Sequence, residues 1–423
     1  MLFLKECKKV ICSLTFLFYV AVVVVMYGTQ FAGHLKESIE HPKVGAEWYG
    51  TKEMEIPEVI MTGATESLVE EYVRGHYDTY PHMFYKQVKL RESDSAKIAV
   101  IIEELTGLTK AEMEGFENYE PGGYYAEMDE NGKQVMYYRS PVLPEYELSE
   151  AVSYERFKEL MREAVEIIGK GSSYEEEKLL RDFGNVEMTY EDAVAEYEEL
   201  MKEDNLAKSY LRLFSDYAGI DLAILPVFVC VTLWQLDKRS RMEPLIYSRK
   251  RSSLSLVLTR YLALVCCMAV PVLLTLLHTV ISIVGLYPEQ TLSLGGAVGD
   301  TLLWLLPNIT IVTALGAFLS ELISPLIAIF VQGAWWYLAL ESTELVGDIT
   351  KFAMILRHNS MASIHIFEVQ YGDFVWNRWF YVILSVGLVI LTVGLYEWKR
   401  RGNRIVPEGK RQWKFRRREA EWQ

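Results

Sequence analysis

At 423 residues the chain is long enough for two or three domains, and its net charge of −14 sets nucleic acid aside as a partner. A hydrophobic content of 51 % with mean hydropathy of +0.08 would fit a large soluble protein, but that average hides a segregation along the chain. The five cysteines all lie in or beside apolar runs, and none falls within residues 34–217, which excludes a disulfide framework there.

The first element is Val10–Ala32, 23 residues without a charge. As a helix it spans about 34 Å, enough to cross a hydrocarbon core of about 30 Å. Its apolar run exceeds that of a cleaved signal peptide and no A-x-A site follows, so a retained anchor is expected. Residues 34–217 are long enough for an independent domain, read as mainly helical. An amphipathic helix is expected over 153–168, a capping box at Ser173–Glu176, and a further helix start at Thr189. From Thr189 the helical pattern continues towards the next apolar run as a stalk, broken near Asp204-Asn205. Two tyrosine-bearing runs flank Asn131-Gly132 within 122–141, the signature of a small β-hairpin.

Five more spans are expected at Ile220–Leu236, Tyr261–Leu286, Thr301–Leu319, Leu322–Leu340 and Phe380–Tyr396, the fourth and fifth of the six forming a tight hairpin. With the N-terminus inside, residues 1–9, 237–260 and 397–423 are cytoplasmic and carry 20 basic against 7 acidic residues. Segment 34–217 carries 20 against 41, a net −21. Short basic loops stay in the cytoplasm, so both termini are expected inside and 34–217 outside. The fold class expected is an all-α polytopic membrane protein with a mainly helical extracellular domain. Its parts are a tail and first span (1–33), the outer domain (34–217), a five-helix membrane domain (218–398) and a basic tail (399–423).

Common catalytic signatures are missing: the sequence has no H-E-x-x-H, G-x-S-x-G, C-x-x-C or Walker A pattern. No enzyme activity, resident cofactor or metal is therefore expected. His76, Asp78 and His82 come nearest to a ligand cluster, but their spacing fits no standard site and Pro81 interrupts any helical face. Ionisable groups at membrane depth are better clues because burying them is costly. Asp221 and His278 are candidates for a translocation path, and Glu321 sits in the hairpin turn. The connector 237–253 holds Lys238, Arg239, Arg241, Arg249, Lys250 and Arg251 against Asp237 and Glu243. Within it Met242, Leu245 and Ile246 fall near helical spacing with Pro244 in a first turn, so a short amphipathic helix is expected.

Residues 212–265 (RLFSDYAGIDLAILPVFVCVTLWQLDKRSRMEPLIYSRKRSSLSLVLTRYLALV) resemble membrane subunits of bacterial type-2 ABC exporters. The end, VWNRWFYVILSVGLVILTVGLYEWKRRG at 375–402, is similar to their last span, with Asn377-Arg378 ahead of the helix and a basic stop behind it. The resemblance covers about 210–402 plus the first span. It implies a permease in the bacterial plasma membrane that pairs as a homodimer or heterodimer with a second permease, and docks on a separate cytoplasmic ATPase that binds ATP and Mg. It assigns the coupling helix to residues 239–252 within the loop 237–256, with Arg239, Arg241, Glu243, Tyr247, Arg249 and Lys250 as contacts to the ATPase, and Glu321 in the hairpin turn is expected to join them. It further implies re-entrant helices in the loop 341–377, a truncated amphipathic helix before the first span, and outward movement of a hydrophobic, amphipathic or peptide-like substrate. The alternative is a membrane-anchored receptor or signalling protein whose outer domain binds a ligand.

Overall fold

The computed structural model describes residues 2–402 apart from 82–83, 129–133, 203–204, 249, 291, 342–345 and 350–351. The chain is mainly helical and divides into two units, Pro42–Val194 and Met1–His41 with Ala195–Gln423. The first is narrower than the expected 34–217. Leu206, Ala207, Tyr210, Leu211 and Phe214 bury their side chains in the core of the second unit, which claims the helix that carries them.

The core of unit 42–194 forms between helices Pro57–Arg74, Glu92–Thr106 and Tyr154–Ile168. Ile60, Ala64 and Leu68 of the first, and Phe157, Leu160 and Ala164 of the third, recur at the three- and four-residue spacing of one helix face. Ser153 caps the third helix by accepting the Arg156 N–H. The expected capping box at Ser173 does not form, because Tyr174 is buried and its hydroxyl donates to Glu71 at 2.6 Å. That burial holds the backbone back, and the helix starts only at Glu176. At Thr189 the expected start is present, with Thr189 and Asp192 exchanging side-chain bonds to each other's N–H.

Among the described residues three antiparallel strand pairs belong to this unit, where one hairpin was expected. Gly123–Met128 pairs with Gln134–Arg139 as the tyrosine runs require, while the Asn131-Gly132 turn lies outside the described residues. The other two, Thr51–Glu53 with Asn185–Glu187 and Tyr77–Thr79 with Lys86–Val88, are three residues long, too short to print an alternating pattern.

Among the described residues the second unit contains five helices long and apolar enough to cross a membrane: Leu14–Leu35, Asn205–Asp237, Ser253–Leu286, Leu294–Leu322 and Ile364–Arg400. They mark a membrane protein. The expected fifth span becomes Pro325–Glu341, a 17-residue apolar helix of about 26 Å, at the short limit for a crossing. Ahead of the first span stands a ten-residue amphipathic helix, Leu2–Ile11, separated from it by Ser13, which caps the next helix. The expected span 220–236 is instead the end of Asn205–Leu222 followed by Leu225–Arg239, stepping at Pro226, which has no N–H to give a helix ladder.

The last helix also begins early. Asn377 and Arg378 lie inside Ile364–Arg400 instead of preceding it, since no proline interrupts that run. The expected re-entrant helices of 341–377 are accordingly replaced, among the described residues, by a strand pair, Val346–Asp348 with Arg357–His358, and by the first turns of this helix. Leu294–Leu322 runs through the middle of the unit. Gly219 of a neighbouring helix lies so close to it that a Cβ would come within 3.3 Å of Trp304.

Candidate functional site

The connector is built around a buried arginine. Arg260, two turns beyond the start of Ser253–Leu286, donates through Nη2 to Asp237 Oδ2 at 2.5 Å, and its Nε lies 3.5 Å from Glu6 Oε2. Its guanidinium also stacks over Trp234 at 5.5 Å. Glu6 in turn accepts from Lys9 Nζ at 2.7 Å. One cluster thus joins the N-terminal helix, the end of Leu225–Arg239 and the start of the next span. Arg241 leaves that helix at φ +55°, a left-handed conformation that turns the chain sharply.

The expected amphipathic helix follows as five residues, Glu243–Tyr247, with Pro244 in its first turn. Leu245 and Met242 are exposed, while Tyr247 is half-buried with its ring 5.4 Å from that of Tyr396. The end of the last helix grips this segment. Arg400 donates to the carbonyls of Tyr247 at 3.1 Å and Arg251 at 2.6 Å, and Ser253 Oγ donates to Glu397. Arg239, Arg241 and Lys250 are exposed. Arg249 lies outside the described residues, and of Glu243 only the backbone is described.

Glu321 is not displayed to a partner beneath the hairpin turn. It is buried, accepting from Trp234 Nε1 at 2.7 Å and Lys399 Nζ at 2.9 Å. A carboxylate at the end of an apolar helix needs such donors, so its role is to tie Leu294–Leu322 to Leu225–Arg239 and to the last helix.

Asp221 lines a mostly apolar cavity of about 160 Å³ together with Tyr27, Phe31, Phe214 and Thr275. His278 lies on the exposed side of its helix, outside that cavity. Tyr27 connects the two, lining the cavity while its hydroxyl lies 2.7 Å from His278 Nδ1 and 3.1 Å from Thr279 Oγ1.

Sequence reasoning missed a second polar cluster. Arg378 is fully buried; Nη1 donates to Trp304 O at 3.1 Å and Asn308 Oδ1 at 2.9 Å, and Nη2 to Met354 O at 3.2 Å. Asn377 accepts from Arg378 Nε at 2.9 Å and donates to Ala353 O at 2.9 Å. Nearby, buried Asp216 accepts from Arg357 Nε at 3.0 Å and the His358 N–H at 2.5 Å. Arg212 Nη2 reaches the carbonyls of Ser360, Met361 and Ala362. Burial and the Arg212 charge hold the His358 ring down to about 4, so it is neutral near pH 7. The one signal that could have flagged this cluster is the presence of Arg212, Asp216 and Arg378 on helices that cross the membrane.

Of the expected metal-like group, Asp78 pairs with Arg74 at 2.7 Å, His76 Nδ1 sits 3.2 Å from the Arg74 carbonyl, and His82 lies outside the described residues. Among the described residues no three His, Cys, Asp or Glu side chains converge as a metal site. Comparison of the chain with protein-family models, curated sequences and solved structures finds no match.

Proposed function

We propose that this chain is the permease subunit of an ATP-binding cassette exporter, docking on a separate cytoplasmic ATPase and moving an amphipathic compound outward. In this reading Pro325–Glu341 is a sixth span, and the basic short loops stay inside, so both termini and the connector 237–256 are cytoplasmic and the acidic unit is outside. The carrying observation is the connector itself. Arg239, Arg241 and Lys250 are exposed on it, and it is fastened to three helices through Arg260, Asp237, Glu6 and Arg400. A push on this segment reaches those helices with little loss, because ion pairs and carbonyl bonds join them rigidly. Closure of a nucleotide-loaded ATPase pair supplies the push, and the helices answer as rigid bodies. Since the sequence has no P-loop of its own, hydrolysis belongs to the partner.

The test is co-purification of a P-loop ATPase with the chain from its native membrane. Combining Arg239→Glu with Lys250→Glu is expected to lower the recovered ATPase about tenfold, equal to roughly 1.4 kcal/mol, without lowering membrane insertion. Full recovery, or no ATPase with the unaltered chain, overturns the proposal and leaves the receptor reading in place.

A further inference from the structure

A second cavity, of about 450 Å³, opens between helices Asn205–Leu222, Leu294–Leu322 and Ile364–Arg400. Its volume falls within the roughly 300–1,000 Å³ typical of small-molecule sites. One wall is aromatic: the Trp304 and Phe367 rings stack with centroids 5.9 Å apart and planes 11° from parallel. Above that wall sit two cations. Arg212 is 5 % exposed, holds its guanidinium 5.8 Å from the Phe367 ring, and spends Nη2 on three carbonyls, yet its buried Nε has no hydrogen-bond partner among the described residues. Lys208, one turn earlier, is half-buried beside it and makes no ion pair among the described residues. Asp300, which accepts from Tyr371 Oη at 2.8 Å, and exposed Glu368, whose charge acts on Arg212, complete the lining.

We infer that this cavity is a binding site for a zwitterionic amphiphile, whose anionic group meets Lys208 and Arg212, whose cationic group meets Asp300 and Glu368, and whose tail lies on Trp304 and Phe367. The charge arithmetic favours this class. Two cations and two carboxylates line the cavity, so a purely anionic or purely cationic ligand would meet like charge from one pair. A planar aromatic surface supplies the non-polar contact without demanding a fixed tail shape. That the ligand is cargo rests on the exporter reading; that it binds does not.

The chain in nanodiscs of phosphatidylglycerol, which contain no zwitterionic lipid to compete, is titrated with a lysophosphocholine carrying a brominated tail. Tryptophan quenching is the readout, and the controls are an alkyl sulfate and an alkyl trimethylammonium with the same tail. Saturable quenching is expected at least tenfold tighter for the zwitterion than for either control. Gly296→Leu, whose side chain enters open space in the cavity, should abolish the saturable phase, and Lys208→Gln should weaken it about tenfold. Equal affinity for the three head groups, a preference for a singly charged control, or saturable quenching that survives both variants in helical protein overturns the assignment. ATPase association is not needed for any of these readings, so the exporter proposal can fail while the site stands.

Discussion

Glu71 sits at the end of the helix Pro57–Arg74, 8 % exposed, with the Tyr174 hydroxyl at 2.6 Å and the Asp78 N–H at 2.8 Å. Loss of water pushes its carboxyl up to about 7, and those two hydrogen bonds, with Arg74, recover only part of the cost of ionising it. Between the ordinary value of about 4.5 and 7 the folded unit therefore holds a proton that the unfolded chain has released. Its stabilising contribution is complete below about pH 4.5, falls as pH rises through 7, and is then spent, a change of about 3 kcal/mol over the window. Hydrogen exchange in residues 57–74 of the full chain, corrected for the intrinsic chemical rate, should show protection falling from pH 5 to pH 8. Glu71→Gln, neutral throughout, should hold protection flat. A wild-type profile already flat across that range would contradict this assignment of the proton.

Between elements, Arg378 shows how one helix is fixed to its neighbours. Its guanidinium forks across Trp304 O and Asn308 Oδ1 on one side and Asn377 Oδ1 and Met354 O on the other, so Ile364–Arg400 is tied to Leu294–Leu322 and to residues 353–354 at once. Lysine keeps the buried charge but has no planar fork to satisfy four acceptors. Arg378→Lys should cost about 2–4 kcal/mol and raise hydrogen exchange in 353–358 selectively, with little change in Leu14–Leu35. Unaltered protection in 353–358 would show that the network is incidental. The apolar runs that build these helices were legible because twenty uncharged residues leave a signal stronger than any local propensity. Their ends were not: Ile364–Arg400 begins well before the apolar stretch, in IHIFEVQYGD, where packing of Phe367 and Phe374 on Trp304 decides the outcome. The connector's charge was legible too, whereas its fastening by Arg260 and Arg400 depends on partners distant in sequence. Glu321 misled for the same reason, since a carboxylate in a turn reads as exposed until Trp234 and Lys399 are found beside it. Arg378 was visible as a letter, but its acceptors are mostly main-chain carbonyls, which no side-chain pattern records.

For the molecule as a whole, the direction proposed across the bilayer rests on the distribution of charge. Residues 1–9, 237–260 and 397–423 carry 20 basic and 7 acidic side chains, while 34–217 carries 20 and 41. Moving Lys and Arg of short loops across a membrane is strongly disfavoured, whereas acidic side chains in a long segment impose little penalty on its export. The same asymmetry decides where an ATPase could act, because nucleotide is available on one side only. Two single-cysteine reporters, in a background with the five native cysteines replaced by serine, read this directly. Glu117→Cys is exposed in the acidic unit, and Ser240→Cys is exposed in the connector. An impermeant maleimide applied to intact cells should label the first and reach the second only after permeabilisation. Labelling of both from outside would mean an odd number of crossings between them has become even, which removes a span from the six. Labelling of Ser240→Cys alone would invert the protein, and then no cytoplasmic motor could touch Arg239, Arg241 or Lys250. The fastened connector would remain a structural brace, without a source of force to transmit.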